Sequence, residues 1–347
     1  MSNKVINLIL FLIAGTGSIA ALFQYTQSGT NNANHFTRFF PSHLLGAKKQ
    51  IDIVYNSYYI AGNSNGFLYL ANPTSPLHML KVPYTFDSTI AQTISNPEHY
   101  KLFAPRLTVS PNSFTIADFA SYTVYGGSWD HLVLDSLKTS KAFFAELVKI
   151  SKNSFIARTI NKKPYGYIIE KKIANPDTII LAPQVLESQN DNLFSVDGML
   201  VYDNQSHNLA YTYYYRNEYI ILDTNLHVIT RKRTIDTNNV AKVSMAFNKT
   251  DNVYKLGGPP LVVNKKTCLS NSTLFIQSAL MATNENGNTF NSMSVIDIYN
   301  ISTGKYAGSF YLPACEGQSV SDFTVVDKTL FVICGHYLIS YQLSADF

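Results

Sequence analysis

Charge is scarce in this chain: Asp, Glu, Lys and Arg make up 14% of its 347 residues, where ordinary soluble domains carry about a quarter. Aromatics reach 13% and hydrophobic residues 46%, so intrinsic disorder, which needs few aromatics and much charge, is excluded. Acidic residues are missing altogether before Asp52. The four basic residues there, Lys4, Arg38, Lys48 and Lys49, account for the formal net charge of +4, and the remainder of the chain is balanced. A groove that tracks phosphates needs a basic excess on the folded body, so no nucleic-acid partner is expected. Long apolar runs number only one, which excludes a polytopic membrane protein. There is a single Trp, Trp129, and no His-Glu-x-x-His, Gly-x-Ser-x-Gly, phosphate-loop or dense Asp calcium-loop motif. The histidines of the body fall one per segment without ligand spacing, so neither a metal nor a cofactor is expected.

The one apolar run is Val5–Phe23, whose only polar side chains are Asn7, Thr16 and Ser18. Nineteen residues at about 1.5 Å each give roughly 28 Å of helix, close to the hydrocarbon thickness of a bilayer. The whole run suits a membrane anchor, so a membrane contact through residues 5–23 is expected. The alternative is a cleaved signal peptide, with Ser18-Ile19-Ala20 as a small-x-small site. With Lys4 and no acidic residue ahead of the run, the amino end stays inside and the body is exported. The segment after it is polar and reads as a tether. His35-Phe-Thr-Arg-Phe-Phe-Pro41 then sets three aromatics round one Arg. It reads as a strap laid on the domain surface, with a membrane or partner contact as the alternative. The expected domains are therefore 1–23 (anchor or signal), 24–50 (tether and strap) and 51–347.

From residue 51 the hydrophobic period is two, with turn residues about every ten positions. Tyr, Phe, Val, Ile and Thr dominate, as strands require. A turn residue followed by an aromatic–aliphatic strand returns six times. The copies are Asn56-Ser-Tyr-Tyr-Ile-Ala, Asn112-Ser-Phe-Thr-Ile-Ala, Asn153-Ser-Phe-Ile-Ala-Arg, Asp197-Gly-Met-Leu-Val-Tyr, Asn271-Ser-Thr-Leu-Phe-Ile and Asp327-Lys-Thr-Leu-Phe-Val. Sheet units repeated six times predict an all-β, six-bladed propeller, whose blades bury one another's faces. The long interval between Asp197 and Asn271 leaves room for a seventh blade or an insertion. The last repeat has three strands before the chain stops, so Ile51–Tyr55 is expected to complete its sheet and close the ring. Ser140–Ile150 is the nearest approach to a helical period in the body.

Several stretches resemble exported β-propellers of Bacteroidetes-type bacteria. They are Asp197-Gly-Met-Leu-Val-Tyr-Asp, Tyr213-Tyr-Tyr-Arg-Asn, Thr234-Ile-Asp-Thr, Pro259-Pro-Leu-Val-Val-Asn, Asn284-Glu, Ser294-Val-Ile-Asp-Ile-Tyr and Ser309-Phe-Tyr-Leu-Pro. The group is similar to TolB-like six-bladed propellers. The resemblance covers roughly residues 36–343 and is closest in the second half. It implies six blades and an envelope location, and it brings no reaction or catalytic residue.

Propeller ligands bind at the channel mouth, on loops leading into the inner strands. With each recurrence taken as an inner strand, those loops hold Arg106, Lys149, Asn264, Lys265 and Glu316. Arg158 and Arg216 lie on or near strands, where a buried Arg needs a partner, and an Arg near the channel can grip a carboxylate or phosphate. Arg106, Arg158, Arg216, Asn264 and Glu285 are the candidate ligand-binding residues, the alternative for each Arg being a staple between blades. Asp118, Asp130, Asp236 and Glu285 are candidate carboxylates, with turn-capping as their ordinary role, and no catalytic residue stands out. Among Cys268, Cys315 and Cys334, the first two precede the fifth and sixth recurrences, so any disulfide is expected between Cys268 and Cys315. The function expected is a non-enzymatic binding or scaffold module of the cell envelope, on the periplasmic side of the inner membrane, for a protein or small ligand. A Tyr-rich surface gives such a module large contact area with polar tips. The alternatives are an envelope enzyme, a hydrolase or lyase on a sugar or ester at the channel mouth, and an accessory subunit of a membrane redox system.

Overall fold

The alternating runs become strands that, apart from one closing strand, pair with their sequence neighbours, and this builds separate four-stranded sheets. The computed structural model describes residues 3–30, 35–137, 143–162, 165–174, 177–250 and 253–344. Blade one comprises Tyr59–Ser64, Phe67–Asn72, Ser75–Pro83 and Ile90–Thr93, and blade two Pro105–Ser110, Ser113–Asp118, Thr123–Ser128 and Asp135–Ser136. Blade three comprises Glu146–Lys149, Ser154–Lys162, Tyr165–Ala174 and Asp177–Ala182, and blade four Gly198–Asp203, Asn208–Tyr213, Glu218–Leu222 and Val228–Arg233. Blade five is Asn264–Ser270, Thr273–Ser278, Met293–Asn300 and Lys305–Pro313. Blade six takes Val320–Val326, Thr329–Cys334 and Tyr337–Leu343 from the end of the chain and Leu45–Asp52 from its beginning. The protein is an all-β, six-bladed propeller.

The first strand of each blade faces the central channel, and the second is buried on both faces between neighbouring sheets. Leu68, Leu70, Phe114, Ile116, Leu274, Ile276, Leu330 and Ile333 are each fully buried there. That double burial makes second strands continuous apolar runs, and it shifts the reading of the recurrences. Only the first and fourth copies mark first strands. The copies at Asn112, Asn153, Asn271 and Asp327 mark second strands, whose centres are buried between neighbouring sheets. The long interval after Asp197 holds no seventh blade. It contains the rest of blade four and a two-stranded hairpin, Met245–Asn248 with Val253–Leu256.

Ring closure is as expected in kind but earlier in register. The closing strand runs antiparallel to Tyr337–Leu343, from Leu45 opposite Leu343 to Asp52 opposite Tyr337. It ends at Asp52 rather than Tyr55, because the Asp52 carboxylate accepts the Val54 amide at 2.7 Å and Val54 turns to φ 69°. Leu68, Leu70 and Val82 of blade one pack on Phe331, Ile333 and Leu338 of blade six across the closure. Glu146–Lys149 is a strand, not part of a helix, and residues 140–142 of the helical candidate lie outside the described residues.

Residues 36–41 lie along blade five. Phe36 is buried with Val263, Leu280 and Ala282, and Phe40 stacks on Tyr311 at 4.9 Å. Arg38, its side chain fully buried, donates from Nε to Asp297 at 2.7 Å and from Nη1 to Glu285. At the amino end, Asn3–Thr30 is one helix. Among the described residues no helix is long and apolar enough to cross a membrane; within this helix, the side chains of 3–4, 8–9, 20 and 22–30 lie outside the description.

Candidate functional site

Six first strands that converge on one axis leave a channel between them, and its cavity measures about 840 Å³. Small-ligand sites commonly fall between about 300 and 1,000 Å³. Because each first strand runs the same way along the axis, their starting residues share one mouth. Arg106, Glu146, Lys265, Lys266 and Asp322 come together there, with Tyr59 beneath Arg106, and Tyr214 enters from the end of blade four's second strand. At the other end, Gln205 of blade four donates to Asp327 of blade six at 3.1 Å, and Ser64 of blade one donates to the Pro111 carbonyl of blade two at 2.6 Å.

Charge at the mouth is partly consumed by structure. Asp322 is buried, pairs with Lys266 at 2.8 Å and accepts the Ile60 amide at 3.0 Å, so it ties blades five, six and one together. Arg158 and Asp197 pair at 2.5 Å between blades three and four. Arg106 is different. Its guanidinium lies 4.6 Å from the Tyr59 ring centre, and among the described residues no carboxylate reaches it at ion-pair distance. The Tyr59 hydroxyl is fixed beneath it, donating to the Leu107 carbonyl at 3.0 Å and accepting the Leu107 amide at 2.7 Å. Lys265 adds a second exposed cation.

Glu146, half-buried in the wall, has its pKa raised by burial, against the pull of Arg158, Arg106 and Lys266. Tyr214 is pushed up to about 12, first by burial and then by the Glu146 carboxylate. The mouth therefore holds one Arg unpaired among the described residues, one exposed Lys, a carboxyl whose pKa burial raises and a protonated phenol. That set can accept an anionic group and donate hydrogen bonds to it.

The sequence-based candidates separate. Arg106 and Lys265 line the cavity. Arg158 is buried in the Asp197 pair and stacks on Tyr167. Arg216 is fully buried; it donates to Glu218, to the Ser195 carbonyl at 3.1 Å and to the Glu187 carbonyl at 3.0 Å, and sits on the Tyr213 ring. Asn264 is buried and donates to the Tyr213 and Arg216 carbonyls at 2.8 and 3.1 Å, which joins blades four and five. Glu285 belongs to the Arg38 network. Lys149 donates to Ser113 at 2.8 Å, and Glu316 sits on the surface beside His336 and Tyr337. Asp118 caps a turn, accepting amides from Phe103, Ala120 and Ser121, and buried Asp236 binds Thr234 and Asn238. Sequence reasoning missed Glu146, Tyr214, Lys266 and Asp322. A frame shifted back by one strand in blades two, three, five and six would have brought Glu146, Lys266 and Asp322 to the mouth.

The cysteines are all free thiols. Cys268 lies within blade five's first strand, its sulfur 3.6 Å from the Thr324 hydroxyl and 3.3 Å from the Val325 amide. Cys315 lies in the turn between blades five and six, and Cys334 ends blade six's second strand.

No family model matches the chain, and no curated protein matches it. Solved structures do. A member of the DUF4221 family from Bacteroides vulgatus superposes with TM-score 0.51 at 10% identity, covering 90% of this chain and 98% of the other. A protein from Bacteroides fragilis described as exported gives 0.53 at 11%, covering 89% and 98%. A streptogramin B lyase gives 0.50 at 9%, covering 88% and 100%. At these identities the likeness is one of fold, a propeller spanning nearly the whole of each chain.

Proposed function

We propose that this chain is a non-enzymatic binding module of the cell envelope, which takes a small ligand carrying a carboxylate or phosphate into the mouth of its channel. The observation that carries the reading is Arg106, held over Tyr59 at the edge of an 840 Å³ cavity without a carboxylate partner among the described residues. The other arginines first singled out are consumed by the blades. An Arg kept in place by stacking is preorganised for a bidentate anion. Lys265 adds attraction, and the protonated Tyr214 phenol supplies a donor.

The module acts outside the cytoplasm, held at the inner membrane by residues 5–23. Support for this comes from the apolar run itself. It also comes from Thr16 and Ser18, whose hydroxyls donate to the Leu12 and Ala14 carbonyls at 2.9 and 2.8 Å and so need no water within the helix. Membership of the TolB-like group would fit the same placement. Detection of the unprocessed chain in the membrane fraction, with its carboxyl end open to protease only after the outer envelope is breached, tests the topology.

For the ligand, the test is a thermal-shift screen of the full chain against small carboxylates, phosphates and their neutral analogues. At least one anion should raise Tm, the neutral analogue should not, and Arg106→Ala should abolish the shift. Equal shifts in wild type and Arg106→Ala would remove the reading. A second reading, a hydrolase or lyase, draws on Glu146, whose pKa burial raises toward the range in which a carboxyl serves as a general acid. Turnover of a binding ligand that Glu146→Gln stops without weakening binding would favour it.

A further inference from the structure

We propose that Cys315 and Cys334 form an intramolecular disulfide that locks the turn between blades five and six onto the ring closure; this rests on the extracytoplasmic placement proposed above, where such a bond persists.

The geometry singles out this pair. Cys315 closes a tight turn with Gln318, through amide-to-carbonyl bonds of 3.0 and 2.9 Å. The Cys334 sulfur donates to the same Gln318 carbonyl at 3.2 Å. One carbonyl oxygen, that of Gln318, therefore bonds both the Cys315 amide and the Cys334 thiol. Cys315 packs on the buried cluster that contains both Cys334 and Cys268. Within it the Cys268 sulfur is engaged by Thr324 and Val325 of blade six's first strand, whereas the Cys334 sulfur meets the Gln318 carbonyl of the Cys315 turn. The pairing expected from the recurrences fails because Cys268 lies inside a first strand, not on the loop before one.

The turn has further ties to the closure. Glu316, the next residue, accepts the Tyr337 hydroxyl at 3.0 Å and faces the His336 ring at 3.4 Å, while the other nitrogen of that ring meets Asp52 at 2.8 Å. Asp52 ends the closing strand. A covalent bond from Cys315 to Cys334 would fix the turn that carries Glu316 to the strand pair on which the chain's beginning is zipped.

Oxidation follows thiol–disulfide exchange with an external disulfide, either glutathione disulfide or the active-site disulfide of a thiol oxidoreductase. Half-buried Cys315 attacks first as the thiolate, forms a mixed disulfide and expels one thiolate of the oxidant. Cys334 then loses its proton, attacks the Cys315 sulfur and expels the second. Two protons and two electrons leave the pair, and the oxidant is reduced to two thiols. The second step is slow at neutral pH, because burial, and next the neighbouring Cys315, push the Cys334 thiol up to about 12. Its rate should rise with pH.

The experiment incubates the purified, reduced full chain with a glutathione redox buffer and maps the cysteine peptides without reduction. A Cys315–Cys334 link, a mass lighter by two hydrogens and one remaining thiol at Cys268 are expected. The bond closes a loop of about 20 residues, so reducing it should lower Tm by about 5 °C, an effect absent in Cys315→Ser. A link involving Cys268, a cross-link between chains, or three thiols still free would overturn the pairing. The same map on protein taken directly from cells addresses the placement separately: the bond formed in buffer but missing from cell material would count against export and leave the pairing standing.

Discussion

Replacing Arg38 by alanine should lift the strap from blade five. The guanidinium is fully buried and, among the described residues, is the only cation paired with two buried carboxylates. It reaches Asp297 through Nε at 2.7 Å and Nη2 at 3.1 Å, Glu285 through Nη1, and the Leu280 carbonyl at 2.9 Å. Burial works against its charge, and Asp297 and Glu285 outweigh burial, so its pKa stands above the ordinary value. Removing one member of a buried ion pair costs about 3–5 kcal/mol, because the remaining charges are left without a partner. The readout is local. The Thr283 and Ser309 amides donate to the strap carbonyls of Phe36 and Phe39 at 2.9 and 2.8 Å, so their hydrogen exchange reports strap release. At 1.4 kcal/mol per factor of ten, exchange at both amides should accelerate by about a hundredfold to a thousandfold. Adding Asp297→Asn and Glu285→Gln to the alanine variant should recover at least half of the lost protection, since no unpaired charge then remains. Acceleration below tenfold in Arg38→Ala would refute the reasoning.

Gly62 adopts φ 139°, and a methyl group there would meet the Val109 carbonyl oxygen at 2.5 Å; Gly62→Ala should cost about 3 kcal/mol or more by urea unfolding. Glu146, held above its ordinary 4.5, binds its proton more tightly in the folded chain, so its favourable contribution is present at low pH and is lost as pH rises through the folded value. Stability should therefore decline from about pH 4.5 upward in wild type more steeply than in Glu146→Gln, as followed by denaturant midpoints. His336 is raised above 6.5, chiefly by its hydrogen bond to Asp52. Its contribution is complete below 6.5 and fades as pH rises through the folded value, and exchange of the Ile53 amide, which donates to the His336 carbonyl at 2.9 Å, should accelerate with it beyond the intrinsic rate. His336→Ala should remove that extra acceleration.

The wheel was legible because doubly buried strands are hard to disguise. Phe67–Ala71, Leu274–Ile276 and Leu330–Val332 have few alternatives as continuous apolar runs between turn residues. The same strength misled the frame, since the recurrence in four blades marks the doubly buried second strand and not the one that lines the channel. Arg106 reached the candidates through its place before the Asn112 copy. Glu146 did not, because Glu-Leu-Val-Lys in isolation has the look of an amphipathic turn. The strap shows a different limit. Three aromatics round Arg38 signal burial, but Glu285 and Asp297 lie some 250 positions away, and nothing local marks them as its partners. Closure was visible in the missing outer strand of the last blade, while its register depended on a side chain, Asp52, that stops the strand by capping Val54.

The location of ligand binding is tested most directly by hydrogen exchange on the full chain, with and without an anion that raises its Tm. Slowed exchange should be confined to the starts of the first strands, at residues 60–62, 106–108, 146–148 and 265–268, and should vanish in Arg106→Ala. Slowing at residues 203–206 and 326–328, or on the hairpin 245–256, would place the ligand elsewhere and contradict a site built on Arg106.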